Sequence, residues 1–245
     1  MPIQPELSVV IPVKDEAENV ANLAAEIHAA LKGVIPFEMI FVDDGSSDAT
    51  AERILAARVE LGDHLRLLRH ARNAGQSAAV ATGVRHARAP WIATLDGDGQ
   101  NNPADIPKLL ARVGLPGTAD SNVLVNGHRV SRQDTWLRRI SSRVANTVRG
   151  GLLNDNTPDS GCGLKLLPRE LFLRLPYFDH MHRFIPALVI RAGGQVVSVP
   201  VDHRPRVAGR SKYGLNNRLW VGLVDLLGMI WLNRRARSPQ QVSEE

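Results

Sequence analysis

Asp96-Gly-Asp-Gly-Gln100 is the stretch of this chain with the most chemistry in it. Two carboxylates at i and i+2, freed from strand pleating by Gly97 and Gly99, can turn toward one hard cation. Mg²⁺ or Mn²⁺ takes oxygen ligands, usually one or two carboxylates completed by water and substrate phosphate oxygens. Asp96, Asp98 and Gln100 are therefore the candidate metal ligands, with the Gln100 carbonyl as a ligand or as a guide for metal-bound water. An EF-hand is excluded, because the fifth acidic position and the terminal Glu are missing. A second acid cluster, Val42-Asp-Asp-Gly-Ser-Ser-Asp48, offers Asp44 as an acceptor for a nucleobase or ribose, with Gly45 at the turn. Neither GxGxxG after the first strand nor GxxxxGK[ST] occurs, which argues against a dinucleotide oxidoreductase or a P-loop enzyme.

Both clusters need rigid elements behind them. Leu7–Val13 and Phe37–Val42 are short, β-branched apolar runs followed by turn residues, so they are expected to be buried strands. Between them, Asp15 and Glu18 have capping-box spacing ahead of Val20, Leu23, Ile27 and Leu31. The pattern repeats: Ser46–Asp48 ahead of a helix through Val59, a strand at 65–68, a helix at 76–86 and a strand at 91–95. Such alternation predicts a doubly wound, mostly parallel α/β sheet with ligands at the carboxyl ends of its strands. Beyond Asp120 come a strand at 123–126, a basic helical stretch from Trp136 to Arg149 and a Gly/Asn/Asp/Pro-rich loop at 150–163. The segment 164–167, a short helix, the segment 184–192 and a strand at 195–201 follow. His203–Tyr213 is a polar, basic loop with Gly209. We expect one domain over 1–215 and an appended helix and basic tail over 216–245. The apolar run Leu219–Leu232 would reach only about 21 Å as a helix, against a hydrocarbon core of roughly 30 Å. With Asp225 inside it and Arg218, Arg234, Arg235 and Arg237 around it, it is expected to lie in the membrane interface or pair with a membrane partner; a buried core helix is the alternative.

The composition is that of a globular protein: 245 residues, 44% apolar and 22% charged. That excludes disorder, collagen and coiled coil. One cysteine, Cys162, excludes an intramolecular disulfide framework and a multi-cysteine zinc site. Cys162, between two glycines, is expected to be packed, and His182 to have a capping or core role. The first residues lack the basic and apolar regions of a secretory signal, so a cytosolic location is expected. Residues 1–120 carry 11 Lys/Arg against 16 Asp/Glu, and residues 121–245 carry 19 against 9. An acidic front and a basic back suit a protein that holds a metal-bound anion and then a second anion, or that faces an anionic membrane. Aromatics are only 4% and no nucleic-acid-binding signature is present, so nucleic acid is not the expected partner.

Ile11-Pro-Val-Lys-Asp-Glu16, Val42-Asp-Asp-Gly-Ser46, Asn73-Ala-Gly75 and Asp96–Gln100 stand in the order of family 2 glycosyltransferases with the GT-A fold, and the chain resembles that family over roughly 7–215. Gly127-His-Arg129, the helix with Arg138 and Ser142, Asp159-Ser-Gly161 and Arg206–Tyr213 resemble its polyprenyl-phosphate branch, typified by dolichol-phosphate mannosyltransferases. The family often has Tyr-Asn where this chain has Lys14-Asp15, and its acidic position before the Ser-Gly turn is displaced around 157–159.

The resemblance implies that Pro12, Lys14 and Glu16 line the donor nucleotide pocket, with Asp44 on the base and Asp96 at the ribose or diphosphate. It implies that Asp98 and Gln100 hold the metal and that Arg129 sits near the donor diphosphate or acceptor phosphate. Arg138 and Ser142, four residues apart on one helix face, would meet the acceptor phosphate, and Arg206, Ser211 and Lys212 would close over the diphosphate. Asp98, Arg129, Arg138 and Ser142 form the catalytic set. The implied reaction is metal-dependent, inverting transfer of a hexose from a GDP- or UDP-sugar to a polyprenyl phosphate, by a peripheral protein at the cytosolic membrane face. A lipid monophosphate is already ionised at pH 7, so such a reaction needs positioning and charge shielding rather than a general base. A saccharide acceptor, and an inactive membrane-associated scaffold, are the alternatives.

Overall fold

A strand that is mainly apolar on both faces is stable only where both faces are covered. All of β1 (Leu7–Val13) is buried except half-buried Pro12, and β2 (Phe37–Asp43) is buried throughout. In the computed structural model, which describes residues 4–114, 122–130, 150, 153, 155, 157–205 and 215–235, both lie inside a seven-stranded sheet. The other strands are β3 (Leu65–Arg69), β4 (Trp91–Thr94), β5 (Val123–Arg129), β6 (Lys165–Pro168) and β7 (Gln195–Val201). The described helices are α1 (Val20–Leu31), α2 (Thr50–Leu61), α3 (Gln76–His86), α4 (Ile106–Val113), α5 (Arg169–Arg174), α6 (Ile185–Arg191) and α7 (Leu215–Arg234).

The strand order is β3-β2-β1-β4-β6-β5-β7, and β6 alone runs against the rest. Successive β1 residues point to opposite faces. Val9 and Ile11 join the core under α1 and α4, whereas Val10 joins the core under α3, α5 and α6. The expected doubly wound, mostly parallel sheet is therefore present.

The order reverses between β1 and β4, which is where such sheets open a crevice at their carboxyl edge. Val13 is level with Asp43 and Val10 with Thr94, so the residues that follow β1, β2 and β4 emerge together. β5 joins the same edge from further along, because Asn126 and Thr94 both pair with Lys165. The reversed strand begins where its neighbours end, and so delivers the Asp159–Leu164 turn to this edge.

Three local expectations change. The capping box does not form: α1 starts at Val20, and Asp15 has φ 49° with its carboxylate on Ser47 rather than on a helix end. Packing between the loops after β1 and β2 outweighs the local cap. Strand β5 runs on to Arg129 because β7 pairs with it along its whole length. Helix α7 has 20 residues rather than fourteen. Met229 is buried, and Leu226, Ile230 and Leu232 pack on the core, while Leu223, Val224, Leu227 and Trp231 are exposed. One face of this helix is thus a core face. No helix among the described residues is long and apolar enough to cross a membrane.

Candidate active site

Gly97 allows the site to assemble. A Cβ there would stand 2.5 Å from Val13 Cγ1 and 2.9 Å from the Pro12 carbonyl oxygen. Only glycine lets the Asp96–Gln100 turn pass this closely over the end of β1, beside Pro12 and Lys14. Gly163 does the same from the other side: its Cβ would fall 2.2–2.7 Å from the carboxyl atoms of Asp96. Asp96 is therefore seated against the bare backbone of the turn that precedes β6.

The Asp96 backbone N–H donates to Asn101 Oδ1 (3.2 Å), and its Oδ1 accepts from Gln76 Nε2 (2.8 Å). Burial first, and then the nearby Asp98 carboxylate, raise the Asp96 pKa above its ordinary value; Lys165, Arg129 and Gln76 oppose the rise. Two carboxylates close enough to repel in this way are a site for positive charge. Asp98 Oδ1 accepts from the Gln100 N–H (3.1 Å), which closes the turn, and Gln100 Nε2 donates to the Arg204 carbonyl (3.4 Å). Among the described residues, no group of three or more His, Cys, Asp and Glu side chains stands ready to hold a metal alone. The donor set is oxygen-only and incomplete, which fits a hard divalent ion that takes its remaining ligands from substrate phosphate and water.

The loops after β1 and β2 are laced together. Lys14 Nζ donates to the Gly45 carbonyl (3.3 Å), the Asp15 N–H to Ser46 Oγ (2.9 Å), and the Ser47 N–H to Asp15 Oδ1 (2.7 Å). The Glu16 N–H donates to Thr50 Oγ1 (2.8 Å), and Glu16 Oε2 accepts from Asn19 (2.6 Å). Asp48 Oδ1 accepts from the Thr50 N–H (3.0 Å), so the expected cap of α2 is present in part.

Asp44, expected on the base, is buried, and both its oxygens are engaged within the protein. Oδ1 accepts from the Ala74 N–H (2.8 Å) and meets His70 Nδ1 at 2.7 Å; Oδ2 accepts from the Gly75 N–H (2.8 Å). His70 Nε2 in turn meets Thr82 Oγ1 at 2.9 Å. In this structure Asp44 holds the Asn73–Gly75 turn, which begins α3, in place.

Three consecutive residues at the start of α3 consequently touch three separate segments. The Gly75 N–H holds Asp44, Gln76 holds Asp96, and Ser77 Oγ meets His182 Nδ1 at 2.8 Å. Burial, reinforced by Arg183, keeps His182 neutral, with its pKa lowered to about 3. Its neighbour His180 adopts a left-handed φ of 64° and places Nδ1 3.1 Å from Asp225 in α7, so that the carboxylate inside the apolar helix has an imidazole within reach.

On the β5 side, Arg129 grips Asp159 with both arms of its fork, Nε to Oδ2 at 2.7 Å and Nη2 to Oδ1 at 2.8 Å. Beneath them Lys165 is buried and donates to the Cys162 carbonyl. Burial lowers the Lys165 pKa, while Cys162, Asp96 and Asp159 resist that. Cys162 is fully buried, and burial raises its thiol pKa, so it is a packed residue rather than a nucleophile.

The edge therefore brings together Pro12, Lys14, Glu16, Asp96, Asp98, Gln100 and Arg129. Arg138, Ser142, Arg206, Ser211 and Lys212 lie outside the described residues. Sequence reasoning missed Gln76, His70, Gly163 and Lys165. Lys165 did carry a signal, as the one charge in an otherwise apolar run from Leu164 to Leu167. Gln76 adjoins the Asn73-Ala-Gly75 motif.

The mostly parallel sheet and the acidic turns at its switch point set the fold, and a family comparison supplies the class of protein. Residues 8–175 match the model of glycosyl transferase family 2. The chain belongs to that family and is a glycosyltransferase. It is 34% identical over 96% of its length to dodecaprenyl-phosphate galacturonate synthase from Rhizobium johnstonii, and spans 69% of that protein. It is 35% identical over 85% of its length to undecaprenyl-phosphate 4-deoxy-4-formamido-L-arabinose transferase from Enterobacter sp., and spans 62% of that one. Among solved structures, glucosyl-3-phosphoglycerate synthase from Mycobacterium tuberculosis with UDP shares the fold. Its TM-score is 0.66 at 17% identity, covering 96% of this chain and 82% of that one. The same protein has also been solved with Mn²⁺, UDP-glucose and glycerol 3-phosphate (TM-score 0.65).

Proposed function

We propose that this protein transfers a sugar from a nucleoside-diphosphate donor to a polyprenyl phosphate, with inversion and with Mg²⁺ or Mn²⁺. The observation that carries the reading is the placement of Asp96 and Asp98 at the switch-point crevice, with Arg129 reaching the same edge from β5. The relatives' polyprenyl-phosphate acceptors support the acceptor class.

In this reading Asp98, Asp96 and Gln100 hold the divalent ion, which neutralises charge on the departing diphosphate. Pro12, Lys14 and Glu16 line the nucleotide side, and Asp44 acts through the turn it holds. Arg129, kept rigid by Asp159, presents its remaining N–H groups to a phosphate. Arg138 and Ser142 are assigned to the acceptor, and Arg206, Ser211 and Lys212 to closure over the donor. A hydroxyl acceptor would call for a carboxylate base, but both Asp159 oxygens are taken by Arg129, which favours the ionised phosphate acceptor. The exposed Leu223, Val224, Leu227 and Trp231, with Arg234 and Arg235 behind them, are assigned to the cytosolic surface of an anionic membrane.

The test is to incubate the full chain with GDP- and UDP-hexoses or hexuronic acids and a polyprenyl phosphate, and to extract lipid-linked sugar. Metal-dependent product from one donor is expected; transfer that persists unchanged in EDTA would remove the metal from the mechanism. Because the inner face of α7 covers core, Leu227→Ser with Trp231→Ser is a cleaner membrane test than deleting residues 216–245. The pair is expected to lower vesicle co-sedimentation while donor binding persists.

A further inference from the structure

At the other end of the same strands lies a cavity of about 550 Å³, lined by Arg88, Ala89, Pro90, Asn122, Arg169, Glu170, Leu171 and Arg174. Topology separates it from the active site. Pro90 precedes the first residue of β4 and Asp96 lies just past its last, a span of roughly 20 Å at strand rise. Likewise Arg169 follows the end of β6, whereas Gly163 precedes its start.

The lining holds three guanidiniums and one carboxylate, and folding demands account for only part of that excess. Arg169 is structural: Nε donates to the Val84 carbonyl (3.1 Å) and Nη2 to the Arg85 carbonyl (3.0 Å), satisfying the last turn of α3. Its Nη1 meets Glu170 Oε1 at 2.9 Å, on a side chain that is 75% exposed and can swing into solvent. Arg174 Nη2 donates to Asn122 Oδ1 (2.6 Å), a neutral partner that orients the fork, and no carboxylate pairs with it among the described residues. The buried acid beside Arg88, Glu38, is already engaged: it accepts from Ser8 (2.7 Å), from Arg66 (2.7 Å) and from the backbone N–H of Arg88 (2.7 Å). What it takes from Arg88 is the backbone N–H, not the side chain. Ala89 and Leu171 are buried beneath the arginines, and apolar backing strengthens the attraction of a guanidinium for an anion.

We infer that this cavity is a second anion site, taking a phosphate-bearing molecule with at least two negative charges, remote from and independent of the donor site. The fork of Arg169 is held in advance by two backbone carbonyls beside the exposed Glu170, and that of Arg174 by Asn122, so little side-chain freedom is lost on binding, and Arg88 supplies the third charge. Its volume exceeds that of a single phosphate. Two sources share this chemistry: a soluble phosphorylated metabolite and a phospholipid headgroup.

The probe is sodium pyrophosphate, titrated calorimetrically into the full chain in EDTA, which keeps the metal-dependent donor site out of the measurement. Binding is expected, weakened at least tenfold in Arg88→Ala with Arg174→Ala. Both residues are cavity-lining arginines outside the catalytic machinery, so the unliganded melting temperature and basal transfer are expected to hold. The paired Lys variant is expected to recover part of the affinity. Vesicles with equal parts phosphatidylglycerol and phosphatidylcholine separate the sources: binding lost in the double variant assigns the headgroup, and binding retained assigns the soluble ligand. Pyrophosphate affinity unchanged by the double Ala substitution, or no binding by the unaltered chain, would overturn the inference.

Discussion

The ends of β2 and β4 look alike on paper and differ in the molecule. Each strand runs out into an acid pair beside glycine, Asp43-Asp44-Gly45 in one case and Asp96-Gly97-Asp98 in the other. At the first, backbone N–H groups of another loop approach from across the edge and Asp44 is consumed by them. At the second, Gly97 and Gly163 admit only bare backbone, and a single amide, Gln76, reaches Asp96 Oδ1. Acid pairs at strand ends thus become scaffold or site according to what the surrounding chain brings to them. Carboxylates held close enough to repel one another are the ones suited to a cation.

The strongest way to break this contrast is at the Asp96–Asp98 pair. Asp98→Ala is expected to reduce lipid-linked sugar formation by at least about 10³-fold, the scale of a lost transition-state charge stabiliser, with the far-UV spectrum unchanged. Gly163→Ala tests the seat of Asp96 without touching a carboxylate. The added methyl overlaps the Asp96 carboxyl, so a drop of about 10²-fold in turnover is expected from misplacement alone. Mn²⁺ affinity, followed by paramagnetic resonance, should fall with it. At the saturated pair the effect should be on stability instead. Asp44→Ala removes the acceptor of the Ala74 N–H and leaves the Gly75 N–H only Asn73 Oδ1, and is expected to cost about 1–2 kcal/mol in urea unfolding; Asp44→Asn, which keeps one acceptor, should cost less. If Asp44→Asn raised the donor KM and left stability alone, the contrast between the two strand ends would fail.

Two smaller effects sharpen the picture around α3. Gln76→Ala removes the one side-chain amide on Asp96 and is expected to lower kcat/KM by about tenfold, the value of roughly 1.4 kcal/mol. Gln76→Glu should be worse, since it places a third carboxylate beside two. His182 gives a pH signature. Its pKa is lowered in the fold to about 3 from 6.5, so the unfolded chain binds a proton that the folded one refuses. Above pH 6.5 the two states match; below it stability is lost progressively, down to about pH 3. The limiting slope is about 1.4 kcal/mol per pH unit, which makes the loss at pH 5 at most about 2 kcal/mol. Urea unfolding of His182→Gln at pH 7 and pH 5 should show that slope reduced.

Much of this was legible beforehand, because burial is written in residue type. The β-branched runs at 7–13 and 37–42 could only be interior strands, and α3 and β7 were read with the bounds they have. Once the strands alternate with helices, the carboxyl-edge crevice follows, and Asp96, Asp98 and Gln100 fall on it. The capping box was misread, and the bonds that Asp44 makes inside the protein went unforeseen, for one reason. A polar side chain in a loop pairs with whichever donor comes nearest in space, and that donor belongs to a loop about 30 residues away.

Residue order by itself determined the sheet, its buried strands and the acidic turn that faces the crevice, since periodicity and apolar run length report local burial directly. The tertiary structure alone decided which partners each acid takes. It also decided that a reversed strand would bring Gly163 and Asp159 to the site, and that the start of α3 would hold three segments at once. Those outcomes depend on distances between chain segments far apart in sequence, and a hydrogen bond is settled by where the partner stands in space.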